Sequence, residues 1–372
     1  MSITTFIANN IAKHVKDLVP YASARRLFAA SAQSNDSQVP IWLNANEAPT
    51  STQYELDTSL YNRYPDCQPE KVISAYAQYA GVSKDQVLVS RGADEGIELL
   101  IRAFCNPVTD HVLICPPTYG MYAISARTCN VGVKTVPLIN NDLGDFQLDV
   151  ANIIAASANV KLVFICAPNN PTGTLPSRLD IETIIQHYAQ TALVVIDEAY
   201  IEFTDEPHLS LLAQYPNVVV LRTLSKAFAL AGLRCGFTLA QPDIIHELLK
   251  VIAPYPLSAP VADIAAQALS AEGMREQVTT ILHEQVALVD VLASIGDIEL
   301  VGAQTGNFIL FRTMHKDALM QFLVHHKVFI RDQSKQQQLE NCLRISTGSA
   351  AENARLLELI TQFYQIQEVT SL

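Results

Sequence analysis

The chain has 372 residues, of which 49% are hydrophobic and 17% are charged, so it can bury a sizeable core and is not a disordered protein. Its 37 acidic residues outnumber the 25 basic ones, which gives a formal net charge of −12. This balance excludes nonspecific binding to nucleic acid or to an anionic membrane, because both need a basic surface.

The predicted elements begin after an N-terminal arm and connecting segment, which we place at residues 1–40. Apolar runs of strand length then recur at residues 87–89, 112–115, 160–166, 192–196, 218–221 and 236–239. These runs are nearly continuous rather than alternating, which is typical of parallel strands covered on both faces. Helical patterns lie between several of them, at residues 97–104, 179–188 and 244–251. The alternation predicts a large α/β domain over residues 41–262, with a mostly parallel central sheet flanked by helices.

The pattern changes after the proline-rich segment at residues 253–260. A long helical region is predicted from about residue 261 to residue 293. Short strands at residues 307–311 and 342–346 follow, and another helix is predicted from residue 351 onward. This order of elements predicts a smaller α+β domain over residues 263–372.

Cysteine usage and the N-terminus indicate the compartment. The seven cysteines are odd in number and form no CxxC pair, which is typical of free thiols in a reduced, cytoplasmic protein. Residues 1–16 have mixed polarity, so we expect no signal peptide, and no run of about 18 apolar residues predicts a membrane span. His325-His326 lacks a second cluster of ligands at metal-binding spacing, so we expect no metal site.

Reactive polar residues follow three successive predicted strands. Asn170 follows the first, Asp197 and Tyr200 follow the second, and Lys226 follows the third. The intervals of 27 and 29 residues between Asn170, Asp197 and Lys226 can each hold one βαβ step of roughly 30 residues. Because open α/β sheets bind ligands at the carboxyl ends of their strands, we expect these side chains to meet at one edge.

The four residue types suit one cofactor. A lysine removed from water has a lowered pKa, which makes its amine available to form a Schiff base. An aspartate facing a pyridine nitrogen keeps that nitrogen protonated, so that the ring withdraws electrons, and Asn and Tyr can hydrogen-bond a ring hydroxyl. Each residue alone has an ordinary structural explanation, such as a helix cap for the aspartate. The ordered set nevertheless predicts a site for pyridoxal 5'-phosphate.

The phosphate of such a cofactor needs its own binding site. The turn Gly92-Ala93-Asp94 leads from a strand into an amphipathic helix, where free backbone N–H groups can bind an anion. Arg234 lies beside small residues and the next strand, so it is a candidate to pair with a fixed anion. An ordinary strand–turn–helix junction and a structural ion pair are the alternatives for these two features.

Several longer motifs resemble those of the fold-type I pyridoxal-phosphate aminotransferases, and more closely those of the histidinol-phosphate aminotransferase family. The resemblance runs from about Tyr21 to the C-terminal region. It rests on the segments 43–47 (LNANE), 62–65 (NRYP), 91–95 (RGADE), 116–122 (PPTYGMY), 169–173 (NNPTG), 197–200 (DEAY), 223–228 (TLSKAF), 232–236 (GLRCG) and 342–345 (CLRI). The segment 331–333 (RDQ) favours this family over general aminotransferases.

The resemblance implies roles around the cofactor. Lys226 would form the Schiff base and carry the proton between the substrate Cα and the cofactor, and Asp197 would pair with the pyridinium nitrogen. Tyr200 and Asn170 would bond the ring hydroxyl oxygen. The other residues implied to hold the cofactor are Tyr119, which stacks on the ring, and the phosphate ligands Gly92, Ala93, Asp94, Thr223, Ser225, Arg234 and, from the neighbouring subunit of a homodimer, Tyr64.

The resemblance also implies a reaction. It is a ping-pong transamination between imidazole-acetol phosphate plus L-glutamate and L-histidinol phosphate plus 2-oxoglutarate, in L-histidine biosynthesis. Arg344 would take the carboxylate of glutamate, and Arg344, Arg331 and Tyr21 would hold the phosphate of histidinol phosphate, with Asn46 also at the substrate. Planar guanidinium groups suit both anions, so one site could serve both half-reactions.

Other functions are compatible with parts of this pattern. An aromatic-amino-acid aminotransferase or a phosphothreonine-type decarboxylase would share the fold and cofactor, which alone do not separate these activities. A pyridoxal-phosphate-binding regulator would need an effector domain, commonly basic and DNA-binding, whereas this chain is acidic. No GxGxxG after a strand, P-loop or GxSxG motif occurs, which argues against dinucleotide-binding, nucleotide-hydrolysing and serine-hydrolase functions.

Overall fold

The computed structural model describes residues 3–20, 26, 28, 39–59, 61–140 and 145–370. Tyr21, a predicted substrate contact, lies outside these described residues. The helices are α1 (Ile3–Asn10), α2 (Lys13–Lys16), α3 (Glu70–Ala80), α4 (Ala93–Phe104), α5 (Met121–Thr128), α6 (Val150–Ala155), α7 (Arg178–His187), α8 (Pro242–Leu249), α9 (Ala259–Ser270), α10 (Gly273–Ser294), α11 (Lys316–His325) and α12 (Ala350–Thr370).

The strands alternate with these helices through the middle of the chain. They are β1 (Ile41–Trp42), β2 (Val87–Ser90), β3 (His111–Ile114), β4 (Gly132–Thr135), β5 (Ile139–Asn140), β6 (Phe146–Gln147), β7 (Val160–Cys166), β8 (Leu193–Asp197), β9 (Val218–Thr223), β10 (Gly236–Ala240), β11 (Glu299–Leu300), β12 (Phe308–Arg312), β13 (Val328–Phe329), β14 (Arg331–Asp332) and β15 (Cys342–Ser346).

A seven-stranded sheet in the order β2-β10-β9-β8-β7-β3-β4 forms the larger part of the fold. Neighbouring strands are parallel except at β10, which is antiparallel to both β2 and β9. Each apolar run predicted as a strand forms one, which confirms the mostly parallel α/β architecture. The sequence did not predict β4, because its short segment GVKT lacks a continuous apolar run and its side chains are only partly buried or exposed.

Both faces of this sheet are covered, as the continuous apolar runs predicted. Along β9, Val218 and Val220 join the core that includes α3, α7 and α9, whereas Val219 and Leu221 join the opposite core, which includes α4, α5 and α8. Alternate residues of a strand point to opposite faces, so a strand with two buried faces must be apolar at every position.

The C-terminal part has a four-stranded antiparallel sheet in the order β11-β12-β15-β14. Its core contains Leu288 and Leu292 of α10 together with Leu319 of α11 and Leu356 of α12. The long helix predicted over residues 261–293 is instead two helices, α9 and α10. The break comes at Ala271, whose backbone is extended (φ −87°, ψ 144°), and the apolar pattern alone does not reveal it.

Two contacts bear on the division into domains. Strand β1 pairs in parallel with β13, so we propose that residues 41–42 belong with the smaller domain rather than at the start of the larger one. Ala262 and Ala265 of α9 lie in the same core as α3. We therefore propose that the larger domain includes all of α9, rather than ending at residue 262 inside that helix.

A buried ion pair lies beneath the carboxyl ends of β8 and β9. Arg222 donates to Glu198 through Nε at 2.8 Å and Nη2 at 2.7 Å, and the His208 backbone N–H donates to the same carboxylate at 2.6 Å. Burial alone would raise the pKa of Glu198, but the hydrogen bonds from His208 and the Arg222 charge outweigh it and lower that pKa. The pair ties the segment after β8 to β9.

An Arg222→Leu variant is expected to lose about 3–5 kcal/mol of unfolding free energy, because Glu198 would stay buried without its charge partner. Chemical denaturation measures this loss. Arg178→Leu is the control, since Arg178 pairs with Glu182 on the surface, where an ion pair contributes at most about 1 kcal/mol. Equal, small losses in both variants would contradict the stabilising role of the buried pair.

Candidate active site

A cleft of about 610 Å³ lies at the carboxyl edge of the large sheet and is lined by residues of both sheets. Strands β7, β8 and β9 are adjacent and parallel, so their carboxyl ends meet there. This order brings Asn170, Asp197, Tyr200 and Lys226 to one cleft, as their spacing predicted.

Lys226 follows the end of β9 and is partly buried. Its Nζ donates a hydrogen bond to the Ala45 carbonyl at 2.9 Å and lies 5.6 Å from the centre of the Tyr200 ring. Burial, followed by the nearby positive charge of Arg344, lowers the pKa of Lys226 to about 8. The neutral amine, which is nucleophilic and basic, is therefore far more populated near neutral pH than that of an ordinary lysine.

Asp197 ends β8 and is 2% exposed. It accepts hydrogen bonds from the Tyr122 hydroxyl at 2.6 Å and from the Ala199 backbone N–H at 3.1 Å. Burial raises the pKa of Asp197 to about 6, against the opposing effect of these two donors. A buried carboxylate of this kind gains from a cationic partner, and a protonated pyridine ring is one that would restore its low pKa.

A hydrogen-bond network connects the two sheets across the cleft. The Tyr200 hydroxyl accepts from Asn46 Nδ2 at 2.9 Å and from Asn170 Nδ2 at 3.2 Å. Arg344 Nη1 donates to Asn170 Oδ1 at 2.5 Å, and its Nη2 donates to the Asn44 carbonyl at 3.0 Å. The phenol and the amide are thus held in fixed positions, with the hydroxyl proton of Tyr200 available for an acceptor in the cleft.

The N-terminus of α4 forms an anion-binding corner with Arg234. Gly92 has φ +81°, and a Cβ there would lie 2.5 Å from Arg234 Nη2, so glycine allows the guanidinium to lie against the helix end. Arg234 itself has φ +56° and donates to Asp94 Oδ2 at 3.3 Å and to Ser225 Oγ at 3.3 Å. Free N–H groups at a helix N-terminus beside an arginine are suited to a phosphate.

The remaining predicted cofactor contacts lie around this corner. Thr223 Oγ1 donates to Ser225 Oγ at 2.9 Å and accepts from the Ser225 backbone N–H at 3.1 Å. The Tyr119 hydroxyl donates to Asp94 Oδ1 at 2.8 Å, and its ring lines the cleft together with Ala93. These donors, with Asp197 and Lys226, match the phosphate, ring nitrogen and aldehyde of pyridoxal 5'-phosphate.

Two arginines face the same cleft from the smaller sheet. Arg331 of β14 and Arg344 of β15 are directly opposite in the antiparallel pair, and both line the cleft. Side chains opposite one another in such a pair lie on one face, and like charges there are destabilising. An anion between the two guanidinium groups would relieve that repulsion, so this end of the cleft is a candidate for a second anion site.

Tyr64 lies elsewhere. It is 82% exposed, stacks on Tyr255 with ring centres 4.5 Å apart, and is not among the residues that line its own chain's cleft. Asn46, a predicted substrate contact, is fully buried with φ +53° and bonds Tyr200 behind the cleft wall. The structure therefore brings together the predicted residues except Tyr64, buried Asn46 and Tyr21, which is not described.

Sequence reasoning assigned no role to Tyr122, Thr118, Gln333 or Gln336. Tyr122 supports Asp197, and Thr118 donates to Asn169 at 2.8 Å. Tyr119 lies just before α5 and Tyr122 lies in its first turn, and the available signal was their place in the segment 116–122, which carries the family resemblance. Within the described ranges, no group of three or more His, Cys, Asp or Glu side chains could hold a metal ion.

Comparison with known families gives full-length matches. The family model described as aminotransferase class I and II matches residues 30–360. A histidinol-phosphate aminotransferase of Pseudoalteromonas atlantica is 58% identical over 361 residues, which are 96% of this chain and 95% of the relative. One from Shigella boydii is 50% identical over 364 residues, covering 97% of this chain and 99% of the relative.

Solved structures agree on the fold. A histidinol-phosphate aminotransferase from Sinorhizobium meliloti, in complex with pyridoxal-5'-phosphate, has a TM-score of 0.82 to this chain at 22% identity. The match covers 95% of this chain and 98% of that one. The predicted fold-type I architecture is thereby confirmed.

Proposed function

The chain belongs to the class I and II aminotransferases, within the histidinol-phosphate aminotransferase family, and on that premise we propose the reaction that it catalyses. It interconverts imidazole-acetol phosphate plus L-glutamate and L-histidinol phosphate plus 2-oxoglutarate, in L-histidine biosynthesis. The observation that carries the proposal is the Arg331–Arg344 pair in the same cleft as Lys226. Both amino donors are small molecules with an anionic group beyond the amine, which such a pair would bind.

The enzyme depends on pyridoxal 5'-phosphate. We propose that the α4 N-terminus at residues 92–94, Thr223, Ser225 and Arg234 hold its phosphate. Tyr119 would stack on its ring, and Asn170 and Tyr200 would bond its ring hydroxyl. When bound, the cofactor supplies a pyridine ring that withdraws electrons from the substrate Cα as the C–H bond breaks. Asp197 would keep the ring nitrogen protonated, which that electron withdrawal needs.

Lys226 would hold the proton that moves during the reaction. Its Nζ has a pKa lowered to about 8 by burial and by Arg344, so the neutral amine can accept a proton from the substrate Cα. A base works best when its pKa lies near the working pH, because it is then both available and strong enough. The Ala45 carbonyl, 2.9 Å away, would orient the protonated amine.

The two substrates would use the arginine pair in turn. A planar guanidinium can bind a carboxylate or a phosphate through two parallel hydrogen bonds. Arg344 is already fixed by Asn170 and by the Asn44 carbonyl, so its position costs little to organise when glutamate binds. Arg331 would add the second charge that a phosphate dianion requires.

An Arg331→Ala variant is expected to reduce kcat/KM for histidinol phosphate by about 10- to 150-fold, the equivalent of one lost hydrogen bond to a charged group. The loss for glutamate should be several-fold smaller, because Arg344 remains to hold its carboxylate. Single-turnover kinetics with each amino donor measure the two losses. Equal damage to both half-reactions would place the phosphate site elsewhere.

The proposed active unit is a C2 homodimer, in which each cleft receives Tyr64 from the neighbouring subunit. Its support is the position of Tyr64, which is exposed beside the half-exposed ring of Tyr255 and lies away from its own chain's cleft. An exposed aromatic pair of this kind is typical of a surface that a partner covers.

We also propose that the enzyme works in the cytoplasm. All seven cysteines are free thiols, and five of them are buried, which suits a reducing compartment. Across the residues that the structure describes, no helix has both the length and the apolar character needed to cross a bilayer.

The proposed substrate is tested by comparing kcat/KM for histidinol phosphate with that for phenylalanine, with 2-oxoglutarate as the acceptor. We expect histidinol phosphate to be the better donor, because phenylalanine offers the arginine pair a singly charged carboxylate in place of a phosphate dianion. A preference for phenylalanine would assign the chain to an aromatic-amino-acid activity instead.

A further inference from the structure

Gln333 extends the strand that carries Arg331 into the cleft. Its backbone N–H donates to the Cys342 carbonyl at 3.0 Å, which continues the pairing of β14 with β15. Residues two apart on a strand point to the same side, and Arg331 and Gln333 both line the cleft. Asp332 between them faces away and accepts from Lys316 Nζ at 3.1 Å. Gln333 is thus a neutral polar side chain beside the arginine pair.

The orientation of the Gln333 amide follows from a chain of hydrogen bonds. The backbone N–H of Thr118, which can only donate, points to Gln336 Oε1 at 3.1 Å. This fixes the oxygen end of Gln336, so its Nε2 donates to Gln333 Oε1 at 2.9 Å. The oxygen of Gln333 is then occupied. Among the described residues, its Nε2 has no hydrogen-bond partner, although Gln333 is only 8% exposed.

We propose that Gln333 is a specificity-determining residue that donates from Nε2 to the phosphate of the substrate, beside Arg331 and Arg344, and that Gln336 is the positioning residue that directs this donor. The inference rests on the proposed function, because it takes the anion at this site to be the phosphate of histidinol phosphate.

The chemistry of the two anions explains why a neutral donor is useful here. A carboxylate is planar, and its two oxygens can be satisfied by one guanidinium. A phosphate monoester is tetrahedral and has three terminal oxygens, so one oxygen points away from the plane of any single guanidinium. A carboxamide N–H on the same face as Arg331 can reach that oxygen, and it adds no further positive charge to an already repulsive arginine pair.

The test compares three Gln→Leu variants of one segment: Gln333→Leu, Gln336→Leu and the control Gln337→Leu. Gln337 is exposed and is not among the residues that line the cleft. Single-turnover kinetics give kcat/KM for histidinol phosphate and for glutamate. L-histidinol, which lacks only the phosphate, serves as a competitive inhibitor, and its Ki is measured. Circular dichroism confirms that each variant folds.

Gln333→Leu is expected to lower kcat/KM for histidinol phosphate by about tenfold or more, chiefly through KM. The loss for glutamate and the rise in Ki for L-histidinol should each stay within about threefold. Gln336→Leu should lower the ratio of kcat/KM for histidinol phosphate to kcat/KM for glutamate by a smaller factor. It should add no further loss in the Gln333→Leu background, because Gln336 acts through Gln333. Gln337→Leu should leave the ratio unchanged.

Three results would overturn the inference. The first is a Gln333→Leu variant with an unchanged ratio of kcat/KM for histidinol phosphate to kcat/KM for glutamate. The second is a rise in the Ki of L-histidinol as large as the loss for histidinol phosphate, which would assign the donor to the imidazole, and the third is additive losses in the Gln333→Leu, Gln336→Leu double variant. Each leaves the proposed function intact as long as the wild type converts histidinol phosphate. If the wild type fails to convert it, the proposed function itself fails.

Discussion

Lys226→Ala is expected to lose transamination by about 10⁴-fold or more with both amino donors, while it still folds and binds pyridoxal 5'-phosphate noncovalently. In the proposed mechanism the lysine has two roles that no neighbour can take over, as the covalent attachment point and as the base that holds the Cα proton. Of the cationic groups that line the cleft within the described residues, Arg234, Arg331 and Arg344 are guanidinium groups, which do not give up a proton near neutral pH.

The measurement is a single-turnover assay, with mass spectrometry after borohydride reduction to detect covalent cofactor. Lys250→Ala is the matched control, because Lys250 lies at the end of α8 and pairs with Glu247 on the surface. It should retain wild-type turnover and covalent attachment. A Lys226→Ala variant that kept more than about one per cent of the wild-type rate would exclude the lysine as the catalytic base.

Asp197→Asn is expected to reduce turnover by about 10²- to 10³-fold, and by the same factor with histidinol phosphate and glutamate. The amide keeps the shape of the side chain but removes the charge that stabilises a protonated ring nitrogen, and losing one partner of a buried ion pair costs about 3–5 kcal/mol. The effect acts on the cofactor rather than on either substrate, so selectivity should not change. Unequal losses would show that Asp197 contacts a substrate.

The pH dependence of cofactor affinity gives an independent check on Asp197. Burial raises its pKa to about 6 in the protein without cofactor, so the carboxyl becomes neutral as the pH falls through that value, and affinity should decline there. The Tyr122 hydroxyl lowers this pKa by donating at 2.6 Å. Tyr122→Phe should therefore shift the decline to higher pH. A shift in the opposite direction would contradict this role of Tyr122.

The strand-end residues could be predicted because their geometry depends on local pattern and on general rules of sheet topology. Continuous apolar runs separated by helices predict adjacent parallel strands. Asp197 is the last residue of β8, and Asn170 and Lys226 follow the ends of β7 and β9. The resemblance to a known family then implied roles for Arg331 and Arg344. That these two are opposite in one strand pair comes only from the structure.

The features that sequence did not predict depend on single contacts between distant segments. Gln336 meets Thr118 across 218 residues, and no periodicity marks such a pair. Beside it in the same glutamine run, Gln337 is exposed, whereas Gln338 donates to the Leu138 carbonyl at 2.8 Å. Likewise, α9 and Val278 and Ile281 of α10 lie in one core, whereas Leu288 and Leu292 of α10 lie in another, and an apolar pattern alone does not show this division.

The central claim is that this cleft transfers an amino group from histidinol phosphate. The most direct measurement mixes the purified, cofactor-loaded protein with histidinol phosphate in the absence of a keto acid and follows the absorbance of the cofactor. We predict conversion to the pyridoxamine form, which 2-oxoglutarate then reverses. A spectrum that stays unchanged with histidinol phosphate but converts with phenylalanine would contradict the claim, and would transfer the same fold and catalytic lysine to an aromatic-amino-acid aminotransferase.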